Sequence, residues 1–179
     1  MIYTTHYKSF LGDILLASKD NNLIGLWING QKGYLQNFKE EVIEFNSDET
    51  LIETKNWLDR YFNKENPNIK ELNLKPFGTS FRQDVWKILC NIPYGKVITY
   101  NDIAKQIAVK RNIREMSAQA VGGAVGHNPI SIIIPCHRVV GANGNLTGYG
   151  GGIDKKIKLL EHEGLDMKNF FDPRNKSKH

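Results

Sequence analysis

The chain has few cysteines and no long apolar run. Cys90 and Cys136 are the only cysteines among its 179 residues, which excludes the disulfide framework of small secreted domains and argues against a thiolate zinc site. No unbroken apolar stretch approaches the roughly 20 residues of a membrane-spanning helix. The first thirty residues also lack the basic start, apolar stretch and small-residue cleavage site of a secretion signal. We therefore predict a cytoplasmic protein.

Positive charge is concentrated in the second half of the chain. Residues 1–75 carry nine Lys and Arg against eleven Asp and Glu, a net charge of −2, whereas residues 76–179 carry fifteen against eight, a net charge of +7. A basic segment joined to a near-neutral one is typical of a polyanion-binding domain on a supporting domain. Because many basic surfaces are simply solvated, charge alone leaves nucleic-acid binding and a solvated surface equally open.

Residues 1–75 predict a small α/β domain that serves as a scaffold. Three β-prone runs, at 3–7, 14–18 and 23–28, are separated by glycine, aspartate and asparagine residues that favour turns. Leucine and aromatic residues at helical spacing over 51–62 then predict a helix. No constellation of reactive side chains falls in this part of the chain, so we predict an antiparallel sheet with a supporting role.

Residues 76–167 predict a mainly helical domain. A capping box, S-x-x-Q at 80–83, begins a helix with an apolar face, and a short strand follows at 96–100. Cys90 lies on the flank of that apolar face, where we expect a buried and inert thiol. A polar tail over 168–179 is predicted to be mobile.

Two short helices in this domain resemble a helix-turn-helix. Thr99 or Asn101 can cap the first, and Ser117 caps the second, which is rich in small residues from Ala118 onward. Small side chains allow a close approach to a DNA backbone or, equally, to another helix. The connector is longer than the usual tight turn, so two ordinary packing helices remain the alternative.

A β-branched apolar run at 130–134 predicts a buried strand that a proline ends, so that Cys136 lies where the strand emerges. A glycine-rich loop over 141–152 follows, and Asp154 can cap a last helix that Gly164 closes. The predicted fold class is α+β. It consists of a small antiparallel-sheet α/β domain and a mainly helical domain with a winged helix-turn-helix-like DNA-binding unit.

Cys136 and His137 are adjacent, which suggests a thiolate and its base. In an extended segment neighbouring side chains point to opposite faces, so proton transfer requires either a sharp turn after Pro135 or a bridging water. Glu163, on the last predicted helix, could orient the imidazole from its far side and complete a Cys–water–His–Glu relay. Where a cysteine and a histidine are adjacent and nothing else indicates a site, a packed cysteine beside a surface histidine is the commoner arrangement.

The sequence around Cys136 resembles a known active site. The segment IPCHRVV is preceded by AVGGAVGHNPISII and followed by NGNLTGYGGG and KLLEHEG. Together these segments are similar to the active-site region of the O6-alkylguanine-DNA alkyltransferases, or methylated-DNA–protein-cysteine methyltransferases. The match extends back through FRQDVWKILCNIPYGKVITYNDIA and covers residues 77–165. Residues 1–75 match only in the order of strands and helices, which implies the family's variable, RNase H-like first domain.

The resemblance implies a role for each catalytic position. Cys136 matches the residue that accepts the alkyl group, and His137 and Glu163 match the relay that removes its proton. Asn128 resembles the asparagine that braces the turn and links the recognition helix to the active site. Tyr100 matches the tyrosine that hydrogen-bonds the guanine ring and can donate a proton to N3.

The resemblance also implies where the substrate and the DNA are held. Main-chain carbonyls of Cys136 and Val139 would accept from the exocyclic amine of guanine. Tyr149 and Gly150 belong to the loop that walls the pocket, and the packing of Ser131 affects its width. The positions that the resemblance assigns to DNA binding are Arg114, Ser117, Ala118, Gln119, Gly122, Gly123 and Arg138.

The reaction implied by the resemblance is direct DNA repair. A methyl or alkyl group moves from O6 of guanine, and also from O4 of thymine, to Cys136 after the damaged nucleotide flips out of the duplex. The thioether has no ready route back, so each molecule acts once. The resemblance implies double-stranded DNA as the partner, bound through the minor groove by a monomer, and it implies no cofactor and no metal.

Some positions depart from the family's pattern. Gln119 stands where the recognition helix usually carries an arginine that fills the space left by the flipped nucleotide. Glutamine brings no charge, so we expect weaker extrusion, with Arg111 or Arg114 supplying a phosphate contact. Gly150 replaces a serine, and a main-chain N–H contact to O6 survives that change. His6 is the only histidine of residues 1–75, so we expect no zinc site of the kind that some relatives carry there.

Three alternatives remain open at this stage. An alkyltransferase-like protein binds alkylated DNA without repair, but such proteins lack the acceptor cysteine that Cys136 supplies. A cysteine hydrolase would need an oxyanion hole, for which the sequence offers no identifiable donors beyond main-chain amides. A helix-turn-helix regulator would leave Cys136 merely structural.

Overall fold

The structure is a computed structural model that describes residues 1–31 and 35–175, and within these ranges the chain forms two compact units. The first unit contains residues 1–77 and 129–133, and the second contains residues 78–128 and the described chain from 134 onward. The sequence patterns had kept the segment 129–133 in the second domain, whereas the structure groups it with the first unit.

A sheet forms the centre of the first unit. Its strands in the described chain are β1 (Ile2–Ser9), β2 (Gly12–Lys19), β3 (Asn22–Ile28) and β4 (Val42–Glu44), in the order β3-β2-β1-β4. β1, β2 and β3 pair as antiparallel hairpins, as predicted, and β4 pairs with β1 in parallel. Asp20 and Asn21 both have positive φ, which suits the tight two-residue turn between β2 and β3. The short strand β4 was not predicted.

Helix α1 (Glu49–Phe62) covers one face of this sheet and confirms the helix predicted over 51–62. It begins at Asp48, whose carboxylate accepts the Leu51 N–H at 3.0 Å. Its inward face is apolar apart from two threonines, and these buried residues are Thr50, Leu51, Thr54, Trp57, Leu58 and Tyr61.

The segment 129–133 lies against β3. Leu26 makes two backbone hydrogen bonds with it, at 2.9 and 3.1 Å. The chain then reverses in a γ-turn, since the Ile133 N–H donates to the Ser131 carbonyl at 2.8 Å and Ile132 has a φ of 70°. The prediction of a continuous buried strand here is therefore wrong. The β-branched residues are buried, but in a turn that strains the backbone at Ile132.

The second unit is mainly helical. Its helices in the described chain are α2 (Ser80–Leu89), α3 (Tyr100–Lys110), α4 (Ala118–Gly126) and α5 (Ile153–His162), and its short strands β5 (Ile98–Thr99) and β6 (Val139–Val140) pair in parallel. No helix in the described residues of either unit has both the length and the apolar character that crossing a membrane requires.

The helix starts of the second unit show how far local sequence sets this architecture. Thr99 caps α3 and forms a reciprocal capping box with Asp102, and Ser117 caps α4 as predicted. The predicted cap of α2 at Ser80 is wrong by one residue, because Thr79 accepts the Arg82 N–H at 3.3 Å. Helix α5 begins after Gly152 without a side-chain cap, and Asp154 lies within its first turn.

Helices α3 and α4 pack on each other and on α2, so the predicted pair of helices exists. Trp86 of α2 is buried, and its indole N–H donates to the Ala124 carbonyl of α4 at 2.9 Å. A seven-residue connector, 111–117, joins α3 to α4.

The chain after α5 returns to the loop that follows β6. Short 3-10 turns form at Met167–Asn169 and Pro173–Asn175, and Phe171 pairs with Asn145 in a β-bridge. The tail predicted to be mobile began at residue 168. The tail makes these contacts as far as residue 175, and residues 176–179 lie outside the described residues.

Candidate active site

The backbone turns sharply at Cys136. Pro135 has φ −82° and ψ 66°, and the Cys136 N–H donates to the Ile134 carbonyl at 2.8 Å, which is the geometry of an inverse γ-turn. A 3-10 turn, Cys136–Arg138, follows directly. Of the two arrangements that the sequence left open, the structure has the sharp turn. The side chains of Cys136, His137 and Arg138 are therefore all buried within one turn of chain.

Asn128 fixes this turn from the end of α4. Its side-chain amide donates to the Ile134 carbonyl at 2.8 Å, so that one oxygen accepts from both Asn128 and Cys136. Asn128 is itself buried. The helix predicted to face DNA is thus tied by one hydrogen bond to the backbone two residues before the cysteine.

His137 is fully buried and contacts Glu163. Its Nε2 lies 2.6 Å from Glu163 Oε2, and its Nδ1 has no hydrogen-bond partner among the described residues. Burial lowers the pKa of His137, although the neighbouring carboxylate opposes the effect. A neutral ring that donates from Nε2 to a carboxylate presents the Nδ1 lone pair as a proton acceptor.

Glu163 is held by several donors at the end of α5. It accepts from His137, from the Gly95 N–H at 3.0 Å, and from Arg138 Nε at 2.8 Å and Nη2 at 3.1 Å. Burial alone would raise the pKa of Glu163, but the hydrogen bonds and charges of His137 and Arg138 outweigh it and hold that pKa well below its ordinary value. The carboxylate is therefore ionised at neutral pH.

Arg138 lies inside the site. Besides its contacts with Glu163, its guanidinium donates to the Ile92 carbonyl at 2.7 Å, and the residue is only 9% exposed. Its assignment to the DNA surface is therefore corrected, because its donors are used within the second unit to compensate the buried carboxylate.

Lys156 is a further buried cation, which was not predicted from the sequence. It is fully buried on α5, and its ammonium donates to the Val139 carbonyl and, at 3.3 Å, to the Thr147 carbonyl. Burial lowers the pKa of Lys156 to about 8, while negative charge at Cys136 opposes this effect. A signal was present: Lys156 lies seven residues before Glu163, on the stripe of α5 that includes Leu160.

Tyr100 begins α3 and reaches the same region. Its hydroxyl donates to the Thr147 carbonyl at 3.0 Å. Burial raises the pKa of Tyr100 to about 12, and negative charge at Cys136 contributes to the rise. Gly148 lies against the same hydroxyl with a φ of 84°, and a Cβ there would lie 2.7 Å from the oxygen. This close approach requires glycine.

A cavity of about 550 Å³ opens beside Tyr100. The start of α3 and the exposed side of α4 form two of its walls, and the loop 141–148, termed the pocket loop below, forms the third. The lining residues are Thr99, Tyr100, Asn101, Ala118, Gln119, Gly122, Gly141, Ala142, Thr147 and Gly148. Its size lies within the range of small-molecule sites.

The outer face of α4 is exposed and carries mostly alanine and glycine. Val121, Ala124 and Val125 face inward, whereas Gln119 and Gly123 face outward. A Cβ added at Gly123 would meet no described atom within 4 Å. Packing within the described chain therefore does not require glycine at this position.

The predicted basic residues near α4 differ in their surroundings. Arg111 is paired with Asp84, through Nε at 3.1 Å and Nη2 at 2.8 Å, and Asp84 also accepts from Lys110 at 2.8 Å. Arg114, in the connector, is exposed. Of the two arginines, the structure favours Arg114 for contact with an external anion.

The predicted substrate-binding residues come from both units. Ser131, whose packing was predicted to affect the width of the pocket, belongs to the first unit. There its hydroxyl donates to Gln31 at 3.1 Å. Val139 is buried in β6. Tyr149 and Gly150 directly follow the pocket loop, the first half-buried and the second exposed.

Both parts of the chain match described domain families. Residues 2–76 match the family described as 6-O-methylguanine DNA methyltransferase, ribonuclease-like domain, and residues 80–165 match its DNA binding domain. The chain is 40% identical over 166 residues to the methylated-DNA–protein-cysteine methyltransferase of Haemophilus influenzae, covering 90% of this chain and 86% of that protein. It is 41% identical to that of Methanosarcina acetivorans, covering 91% and 99%.

The fold is similar to solved structures as well. A crystal structure of Mycobacterium tuberculosis OGT in complex with DNA has a TM-score of 0.76 and 39% identity, covering 90% of this chain and 91% of that chain. A structure of the O6-methylguanine methyltransferase of the same organism has a TM-score of 0.74 and 36% identity, covering 94% and 98%.

Proposed function

The chain belongs to the 6-O-methylguanine DNA methyltransferase family, and on that premise we propose that Cys136 accepts an alkyl group from O6 of guanine in DNA. The activity is DNA repair by alkyl transfer to a cysteine. The observation that carries the assignment to Cys136 is the buried His137, which follows it in sequence within one 3-10 turn and is hydrogen-bonded to an ionised carboxylate.

His137 removes the proton of the thiol. Its Nδ1 lone pair is the acceptor, reached directly or through one water, and the imidazolium that forms is stabilised by Glu163. Arg138 keeps Glu163 ionised, so that the carboxylate remains an anion when His137 is neutral. The cationic Lys156 favours the thiolate at Cys136 by its charge.

The thiolate then displaces guanine from the alkyl carbon. The carbon–sulfur bond forms as the carbon–O6 bond breaks, and the electron pair of the broken bond moves onto the guanine. Tyr100, whose high pKa keeps its hydroxyl protonated, donates a hydrogen bond or a proton to the departing base at N3. The proton lost by the thiol finally resides on the restored guanine, and Cys136 carries a thioether.

DNA is the partner, and we propose that it is double-stranded and is contacted through its minor groove by the outer face of α4. Gly123 faces outward into open space, and Ala118 and Gly122 are also small residues. A face of this kind allows close contact with the sugar–phosphate backbone. Gln119 lies between that face and the cavity, where it can fill the space left by a flipped nucleotide.

The product explains why one molecule acts once. A thioether has no leaving group that the buried site could activate, so the alkylated protein is an end product. We further propose that the protein acts as a monomer in the cytoplasm. Neither cysteine forms a disulfide, which is consistent with a reducing compartment.

One experiment tests the assignment. The protein is incubated with duplex DNA that contains O6-methylguanine, and the peptide that contains Cys136 is weighed. We expect a stoichiometric gain of one methyl group, full gain in Cys90→Ser and no gain in Cys136→Ser. Binding without gain would instead indicate an alkyltransferase-like or regulatory protein, and repeated turnover on an acyl substrate would indicate a hydrolase.

A further inference from the structure

We propose that residues 166–175, termed the C-terminal strap, hold the pocket loop in position and thereby limit the size of the O6 adduct that reaches Cys136. This inference rests on the proposed function. The segment matched to the DNA binding domain family ends at residue 165, so the strap lies beyond the part of the chain that carries the family resemblance.

The strap pairs with the pocket loop through the backbone. The Leu146 N–H donates to the Phe171 carbonyl at 3.0 Å, and the Phe171 N–H donates to the Gly144 carbonyl at 3.0 Å. Asn145 and Phe171 form the corresponding β-bridge. Two reciprocal hydrogen bonds fix the register of the strap against the loop.

The two segments approach each other as closely as backbone allows. Gly144 has a φ of 81°, and a Cβ there would overlap the Asn169 carbonyl oxygen. Only glycine combines this conformation with such an approach. The contact is therefore specific to this pairing of loop and strap.

Apolar and ionic contacts anchor both ends of the strap. Leu146 of the pocket loop is buried in a cluster with Leu160 of α5, against which Met167 and Phe170 pack. At the far end Arg174 donates to Asp154 of α5 at 2.8 Å. The strap is thus attached to α5, the helix that also carries Lys156 and Glu163.

The pinned part of the loop lies between the two parts that line the cavity. Gly141 and Ala142 precede it, and Thr147 and Gly148 follow it. A hydrogen bond of 2.7 Å from the Gly141 N–H to the Asn145 carbonyl closes the turn. Holding the middle of the loop therefore restrains both of its segments that line the cavity. A loop released from the strap would leave a wider and less ordered pocket.

The test compares two substitutions at one residue. Phe171→Pro removes the N–H that donates to Gly144, whereas Phe171→Ala keeps both backbone hydrogen bonds. Proline is compatible with the preceding residue, since Phe170 is extended with φ −127° and ψ 159°. The readouts are single-turnover transfer from O6-methylguanine and O6-benzylguanine duplexes, and the affinity for the methylated duplex.

We expect Phe171→Pro to slow methyl transfer about 10-fold, or about 1.4 kcal/mol, and to lower the methyl-to-benzyl rate ratio, with DNA affinity within about twofold of wild type. Phe171→Ala should retain the wild-type ratio. A strap that only stabilises the fold would lower the thermal midpoint of Phe171→Pro and leave the ratio unchanged, which would overturn the inference.

A second measurement needs no variant. Amide hydrogen exchange in the wild type should be slow at Leu146 and Phe171, because both N–H groups are paired, and exchange as fast as in open loops would also overturn the inference. If the wild type itself transfers no methyl group, the proposed function fails. Normal wild-type transfer with an unchanged ratio in Phe171→Pro would reject the strap alone.

Discussion

The two units bury different kinds of polar side chain. In the first unit the buried polar groups of the described residues are neutral hydroxyls and one amide, as in Thr54 and Gln31. The buried charged or titratable polar groups, His137, Arg138, Lys156 and Glu163, lie in the second unit within the same described ranges. Burying charge is costly unless partners compensate it, so such a cluster indicates a functional site rather than a stable core.

Two glycines, one from each unit, also differ in their surroundings. Gly25 of the first unit packs against the Trp27 ring, and a Cβ there would overlap it. Gly123 of α4 faces open space within the described structure. Packing within the chain explains the first glycine, whereas for the second we propose that it allows close approach of DNA.

The largest expected effect breaks the buried charge cluster. Glu163→Gln leaves Arg138 and His137 buried without an anion, so we expect a loss of about 3–5 kcal/mol of unfolding free energy and a fall of at least about 100-fold in methyl transfer. Glu71→Gln, in an exposed pair with Arg60 of the first unit, is the matched control and should change neither. Urea unfolding measures the change in unfolding free energy, and single-turnover assays measure methyl transfer. Equal effects of the two variants would contradict the comparison between the two units.

Lys156→Met removes the buried cation with little change in volume. We expect methyl transfer at pH 7 to fall about 10-fold, because the thiolate loses a neighbouring positive charge. Lys19→Met, at a partly exposed pair with Glu40 of the first unit, should leave the rate unchanged. Unaltered transfer in Lys156→Met would remove Lys156 from the proposed mechanism.

The same variant tests a pH dependence of stability. The folded-state pKa of Lys156 is about 8, below the ordinary lysine value of 10.5. Between these values only the unfolded state binds the proton, so rising pH favours the folded state. From pH 8 to 10.5 the unfolding free energy of wild type should therefore rise relative to Lys156→Met by about 3 kcal/mol. Denaturant midpoints across this range measure it, and a difference that stays constant would contradict burial of the ammonium.

Two glycine substitutions sharpen the second comparison. Gly123→Ala should stabilise the fold by about 0.5–1 kcal/mol, because alanine favours a helix, and should weaken binding to methylated duplex about 5-fold, or about 1 kcal/mol. Gly25→Ala should instead destabilise by about 1–3 kcal/mol through overlap with Trp27. Tighter or equal DNA binding by Gly123→Ala would argue against close contact at this face.

The smallest effect is expected at Gln119. Gln119→Arg adds a positive charge beside the cavity, so DNA affinity at low salt should rise about 3-fold, with a steeper dependence on salt by about one ion. Repair should accelerate if extrusion limits it. Titrations at several salt concentrations and single-turnover rates provide the readouts, and no change in affinity or rate would show that the missing charge has no consequence.

Local sequence predicted most of the elements. Alternation and turn residues located β1 to β3, and helical spacing located α1. Side-chain caps at Thr99 and Ser117 began α3 and α4 as expected, because a cap depends on residues within three positions of each other. The prediction of a continuous strand before Cys136 was wrong. The apolar composition of this segment indicates burial, but it does not indicate the γ-turn at Ile132.

The site was predicted only in part. His137 and Glu163 were proposed as a relay from their positions in the sequence and then from the resemblance, and the structure places them 2.6 Å apart. Lys156 was missed and Arg138 was assigned to the surface, because lysine and arginine are mostly exposed and only tertiary contacts identify those that are buried. The effect of Ser131 on the pocket stays a prediction, and the structure groups this residue with the first unit.

The sequence by itself determined the order of β1 to β3 and of the helices, the caps of α3 and α4, the basic second half and the motif that contains Cys136. These depend on side-chain periodicity and on neighbours along the chain. The tertiary structure decided the sharp turn at Cys136, the partners of Glu163, the burial of Lys156 and the pairing of Phe171 with the pocket loop. These depend on contacts between residues far apart in sequence, whose energies arise only when folding removes the groups from water.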